Sequence, residues 1–74
     1  MIVISQNGKV AVNIENLIAI EVQGNYIQAH SANGSHTIAI GVYGSEEEAQ
    51  DNFDELMDSI NESDDPETEI LYMA

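Results

Sequence analysis

The chain has 74 residues, no Cys and a formal charge of −13, set by fourteen acidic side chains against one Lys, Lys9. That length gives one domain near the lower limit for a single hydrophobic core, and the lack of Cys excludes a disulfide framework, a thiolate nucleophile and a Cys-based zinc site. The charge excludes direct binding to nucleic acid or an anionic membrane, because both need phosphates neutralised by cations; the expected partners are basic proteins.

In chain order, Ile2–Ser5 and Lys9–Asn13 are two β-rich runs around Asn7-Gly8, the strongest short hairpin signal. Asn13-Ile14-Glu15-Asn16 breaks the alternation and reads as a turn or one loose helical turn. Strands then follow at Leu17–Gln23, Tyr26–Ser31 and His36–Tyr43, divided by Gly24-Asn25 and by a turn at Ala32–Ser35. Two-residue loops at Gly24-Asn25 and Asn33-Gly34 fix a register. Val22 faces Ile27, Ile20 faces Ala29, Ile27 faces Ile40 and Ala29 faces Ile38. One sheet face then carries Ile18, Ile20, Val22, Ile27, Ala29, Ile38, Ile40 and Val42. The other carries Leu17, Ala19, Glu21, Tyr26, Gln28, His30, Thr37, Ala39, Gly41 and Tyr43, with the Tyr26 ring covering Gly41.

Ser45 is an N-cap with Glu48 three residues on, the pattern of a reciprocal capping box. Ala49, Phe53, Leu56, Met57 and Ile60 recur at i, i+4, i+7, i+8 and i+11, one apolar stripe of a helix over residues 45–61 that packs on the Ile/Val face. Beyond it lies an acidic loop through Glu67, and Thr68–Met73 turns apolar again, as expected of a short edge strand or of a segment that docks on the core. The fold class is α+β: an antiparallel β-meander of about five strands (1–44), one amphipathic helix (45–61) packed on one face, and an acidic loop with an apolar C-terminal segment (62–74).

Charge is polarised along this chain. Twelve of the fourteen acidic residues lie between Glu46 and Glu69, a span without Lys or Arg. On the helix Glu47, Asp51, Asp54 and Asp58 form one row, and Glu48, Glu55 and Glu62 a neighbouring one. The pairs Glu47/Asp51, Asp51/Glu55, Asp54/Asp58 and Asp58/Glu62 repel at i, i+4, each costing roughly 0.2–0.5 kcal/mol of helix stability. A helix acidic only for solubility mixes in Lys and avoids that cost. The candidate partner-binding residues are therefore Glu47, Asp51, Asp54, Glu55, Asp58 and Glu62. Their spacing of about 6 Å per four residues is close to that of phosphates along a strand, which suits a basic groove built for nucleic acid.

His30 and His36 are the candidate zinc ligands, with helix carboxylates completing the site or two chains sharing it. In the register above they point to opposite faces, so no cofactor is the leading expectation. Asp58–Asp65 lacks the Gly and ligand pattern of a calcium loop. No nucleophile, base and orienter come together, so the chain is not expected to be an enzyme.

The opening Met1-Ile2-Val3-Ile4-Ser5-Gln6-Asn7-Gly8-Lys9 and the later Ile40-Gly41-Val42-Tyr43-Gly44-Ser45-Glu46-Glu47-Glu48-Ala49 resemble a group of small uncharacterised proteins from Gram-positive bacteria and their phages. In that group a strand meander leads through an IGxYxSEExA-type segment into one helix. The resemblance covers about residues 1–60 and implies a fold and a phage or bacterial setting. Members of the group carry Arg or Lys in the helix, whereas Ala49–Asp58 here has neither. In size and acidity the chain also looks like anti-CRISPR inhibitors that occupy DNA-binding surfaces of Cas effectors.

The opening residues lack the basic, then apolar pattern of a signal peptide, and no apolar run reaches the length of a membrane span, so the expected location is the bacterial cytoplasm. The expected function is a phage-type inhibitor that blocks a basic nucleic-acid-binding surface by DNA mimicry, as an anti-CRISPR or anti-restriction protein does. The alternative is a non-enzymatic structural or regulatory module that dimerises through the Tyr26/His30/Tyr43 sheet face or an edge strand, with its acidity serving solubility.

Overall fold

A computed structural model describes residues 1–32, 36–64 and 69–74. The elements in chain order are β1 (Ile2–Ile4), β2 (Ala11–Asn13), a 3₁₀ turn (Ile14–Asn16), β3 (Leu17–Gln23), β4 (Tyr26–Ser31), β5 (Thr37–Val42), α1 (Glu46–Glu62) and β6 (Ile70–Tyr72). The architecture is α+β. The five N-terminal strands divide between two sheets: β3-β4-β5 form an antiparallel meander, and β1 pairs antiparallel with β2 and parallel with β6 in the order β2-β1-β6. The apolar C-terminal segment thus becomes an edge strand, laid beside the first strand of the chain.

Local chemistry accounts for the turns. In the first hairpin Gly8 takes the left-handed φ of 74° and donates its N–H to Ser5 O at 2.8 Å. The Asn7 side-chain oxygen accepts from Lys9 N–H at 2.9 Å and from the Ser5 hydroxyl at 2.7 Å, so Asn7 acts through its side chain and keeps an ordinary φ. At Gly24-Asn25 only Gly24 has positive φ, 56°, as a type II′ hairpin turn requires. Asn13 caps the 3₁₀ turn by accepting from Glu15 N–H at 3.1 Å. The turn expected at Ala32–Ser35 and the acidic run of residues 65–68 fall largely outside the described residues.

Three of the four expected pairs hold: Val22 faces Ile27, Ile20 faces Ala29 and Ala29 faces Ile38. Two bulges change the rest. Ile27 pairs with Gly41 and Gln28 with Ala39, which leaves Ile40 as the extra residue of β5 and puts Val42, not Gly41, opposite Tyr26. A bulge reverses the alternation beyond it, so Ile40, Gly41 and Tyr43 all turn inward while Val42 is 57% exposed. A second irregularity between Leu17 and Ala19 does the same to β3: Ile18, expected in the core, is 69% exposed, and Leu17 packs against the core instead. The ring that covers Gly41 is therefore Tyr43, not Tyr26.

One core joins both sheets and the helix. Met1, Val3, Val12, Ile27, Ala29, Ile40, Tyr43, Ala49 and Leu56 are buried in it, with Phe53, Met57, Ile60, Leu71 and Met73 packed around them. The helix stripe faces inward as its spacing predicts, and α1 lies across β3 and β4. Gln6 joins the sheets at the β5 bulge: its N–H donates to Ile40 O, and its side-chain oxygen accepts from Val42 N–H, both at 2.8 Å. No helix of the described residues is long and apolar enough to cross a membrane.

Candidate functional site

The geometry of α1 follows from its two ends and its stripe. Ser45, in extended conformation, accepts from Glu48 N–H at 3.1 Å through its hydroxyl. The return bond of the expected capping box goes one residue further back: Glu48 Oε2 accepts from Gly44 N–H at 2.8 Å rather than from Ser45. Glu46, Glu47 and Glu48 fill the first turn, where the positive end of the helix dipole favours them. The last turn holds no cation. With Ala49 and Leu56 buried and Phe53, Met57 and Ile60 half-buried, the opposite side of the helix is fixed toward solvent.

That outward side carries all six predicted residues. Glu47, Asp51, Asp54, Glu55, Asp58 and Glu62 are exposed, and none pairs with a cation among the described residues; Asp54 Oδ1 accepts from Gln50 Nε2 at 3.0 Å. The 17-residue helix is about 25 Å long at 1.5 Å per residue and bears eight carboxylates, one per about 3 Å of axis. A single nucleic-acid strand carries one charge per about 3.4 Å. Asn52 Nδ2 donates to Glu48 O at 2.9 Å, within the helix. Tyr43 lies under this helix, and its hydroxyl is pushed above its ordinary value by burial first and then by the Glu48 and Glu55 charges.

The histidines do not converge. His30 sits on the outer face of the meander, where its Nε2 meets Glu21 Oε1 at 2.8 Å and its Nδ1 meets Thr37 Oγ1 at 3.1 Å. Gln28 Nε2 donates to the same Glu21 oxygen at 2.8 Å. These bonds from His30 and then Gln28 hold the Glu21 carboxyl below its ordinary value. With Glu21 as acceptor, His30 carries its proton on Nε2 when neutral, and Thr37 then donates to Nδ1. His36 is exposed ahead of β5, where its N–H donates to Ser31 Oγ at 3.1 Å. Among the described residues no three His, Cys, Asp or Glu side chains gather where they could share a metal ion.

The Tyr26/His30/Tyr43 dimer face is not assembled. Tyr26 and His30 lie half-buried on the outer side of the meander, whereas Tyr43 is in the core with its hydroxyl donating to Ala74 O at 3.3 Å. What sequence reasoning missed is on the other sheet. Its outward side aligns Ile2 with Ile70 and Ile4 with Tyr72, and Ile70 and Tyr72 are 57% and 72% exposed. The signal for it was the alternation in Ile70-Leu71-Tyr72, which matches that in Ile2-Val3-Ile4. No family model matches the chain, and no curated protein and no solved structure shows significant similarity to it.

Proposed function

We propose that this chain is a small, non-enzymatic interaction protein of phage type that uses the outward face of α1 to occupy a basic, nucleic-acid-binding surface on another protein. The observation that carries the reading is the combination on one helix of six exposed carboxylates, without cationic partners among the described residues, and an apolar stripe already committed to the core. A rigid helix presents those charges in fixed rows. A Lys/Arg-lined channel that accepts phosphates gains the same Coulomb attraction from such rows, and releases its own counterions when they dock. Targets of this chemistry are a Cas effector, a restriction enzyme or another DNA-binding protein. Inhibition is by occupation, without direct contact to nucleic acid and without a cofactor.

Competition tests this reading. A fluorescent duplex is bound to a panel of nucleic-acid-binding effectors, and the protein is titrated in. Displacement of duplex by the native chain, and its loss in a variant with Asp51→Asn, Asp54→Asn, Glu55→Gln and Asp58→Asn, supports the mimic. Displacement that is equal for both proteins would refute it.

A further inference from the structure

The outer edge of β6 pairs with no strand among the described residues. Ile2 N–H donates to Glu69 O at 2.9 Å and Met73 N–H to Ile4 O at 3.0 Å. With Ile2 paired to Ile70 and Ile4 to Tyr72, this parallel ladder turns the backbone groups of Glu69, Leu71 and Met73 toward β1. The N–H and C=O groups of Ile70 and Tyr72 consequently point away from it, along an edge that no described strand covers. An open strand edge is a template for one more strand.

Beside this edge runs a groove of about 150 Å³ between α1 and the C-terminal residues Leu71, Tyr72, Met73 and Ala74. Leu56 and Leu71 give it an apolar floor, and Glu55, Asn52 and Ser59 stand on the helix side. On the opposite side of the sheet, the exposed Ile70 and Tyr72 continue the apolar row of Ile2 and Ile4. A strand added here therefore meets two different surfaces: carboxylate and amide on the helix side, aliphatic and aromatic groups on the outer side.

We infer that the β6 edge takes up an extended basic segment of a partner protein by strand addition, with Lys or Arg side chains turned toward Glu55 and β-branched side chains turned toward Ile70 and Tyr72. Backbone pairing to Ile70 and Tyr72 supplies affinity, and the alternation of the two surfaces supplies selectivity. Charge selects the occupant: at −13, a second copy of this chain is repelled, whereas a cationic segment is attracted. The inference rests on the preceding one only in taking the partner to be basic.

The probe is acetyl-Lys-Val-Lys-Val-Lys-Val-Lys-amide, with acetyl-Lys-Pro-Lys-Pro-Lys-Pro-Lys-amide as a control of equal charge that cannot form a strand. Binding is followed by fluorescence anisotropy and by amide hydrogen exchange of the full chain. The valine peptide is expected to bind at least about tenfold more tightly than the proline peptide and to slow exchange at Ile70 and Tyr72 by a similar factor. Tyr72→Pro removes one outward donor while leaving the bonds to β1, as proline on an edge strand allows, and should abolish the difference between the peptides. Equal binding of both peptides, or unchanged exchange at Ile70 and Tyr72, would overturn strand addition while leaving the acidic face of α1 untouched. Protection of those amides in the protein alone, with sedimentation as a dimer, would assign the edge to a second copy and overturn it too. Loss of duplex displacement with retained peptide selectivity would separate failure of the mimic from failure of this proposal.

Discussion

The Tyr43 ring lies directly over Gly41: a β-carbon built at Gly41 would stand 2.6 Å from Tyr43 Oη and 2.8 Å from its Cε2. Tyr43 is only 9% exposed and sits among Ile40, Ala49 and Leu56, so the ring has little room to retreat. Gly41→Ala should therefore destabilise the protein by about 1–3 kcal/mol, the usual cost of overfilling a packed site, even though alanine lowers the entropy of the unfolded chain. Urea unfolding of the two proteins measures it. Ala39→Gly, at an exposed site in the same strand, should cost no more than about 1 kcal/mol.

The N-cap of α1 gives a second prediction. Ser45→Ala removes the acceptor of Glu48 N–H and should cost about 1 kcal/mol, visible as a lower thermal midpoint. Because Glu48 reaches Gly44 rather than Ser45, the Gly44 amide should stay protected from exchange in Ser45→Ala and lose protection in Glu48→Ala.

Much of this was legible in the sequence, and the failures have a common cause. The hairpins at Asn7-Gly8 and Gly24-Asn25 and the helix cap rest on residues with special backbone or side-chain chemistry, so they could be placed locally. Register beyond a bulge depends on which phase of a strand fits the core. Leu17 and Ile18 are both apolar, and in Ile40-Gly41-Val42-Tyr43 either phase offers a large apolar side chain, so periodicity does not choose. Gly41 within a strand was the available sign of a bulge. The pairing of Ile70–Tyr72 with the first strand is a contact across nearly the whole chain, and nothing local encodes it. The acidic face was readable because it needs only helical spacing, and an edge strand within Thr68–Met73 was readable from its apolar run; its place beside β1 was not, because that depends on the whole fold.

Acidity should separate the Glu21 cluster from the rest of the molecule. Glu21 is held below its ordinary value of 4.5 by His30 and Gln28, so the folded state favours its ionised form. That contribution is present above pH 4.5 and disappears as pH falls through the lower folded value. The thermal midpoint of the native chain should exceed that of Glu21→Gln at neutral pH, and the gap should close below the ordinary carboxyl range. A gap independent of pH would contradict the assignment.

The helix carries a trade-off that one substitution exposes. Asp58→Lys turns two repulsive i, i+4 pairs, with Asp54 and Glu62, into attractive ones and should stabilise the fold by about 0.5–1.5 kcal/mol. The same change puts a cation in the middle of the proposed contact face. Stability measured by denaturant and affinity for a basic effector should move in opposite directions.

The most direct test of the acidic face is the salt dependence of binding to an effector identified by duplex displacement, for the native chain and for the variant neutralised at Asp51, Asp54, Glu55 and Asp58. If charge rows dock into a phosphate-binding channel, log affinity of the native chain falls steeply with log salt, by at least about tenfold between about 50 and about 200 mM, and the neutralised variant binds more weakly with a much flatter slope. Equal slopes for the two proteins, or a native affinity that does not change with salt, would contradict the account.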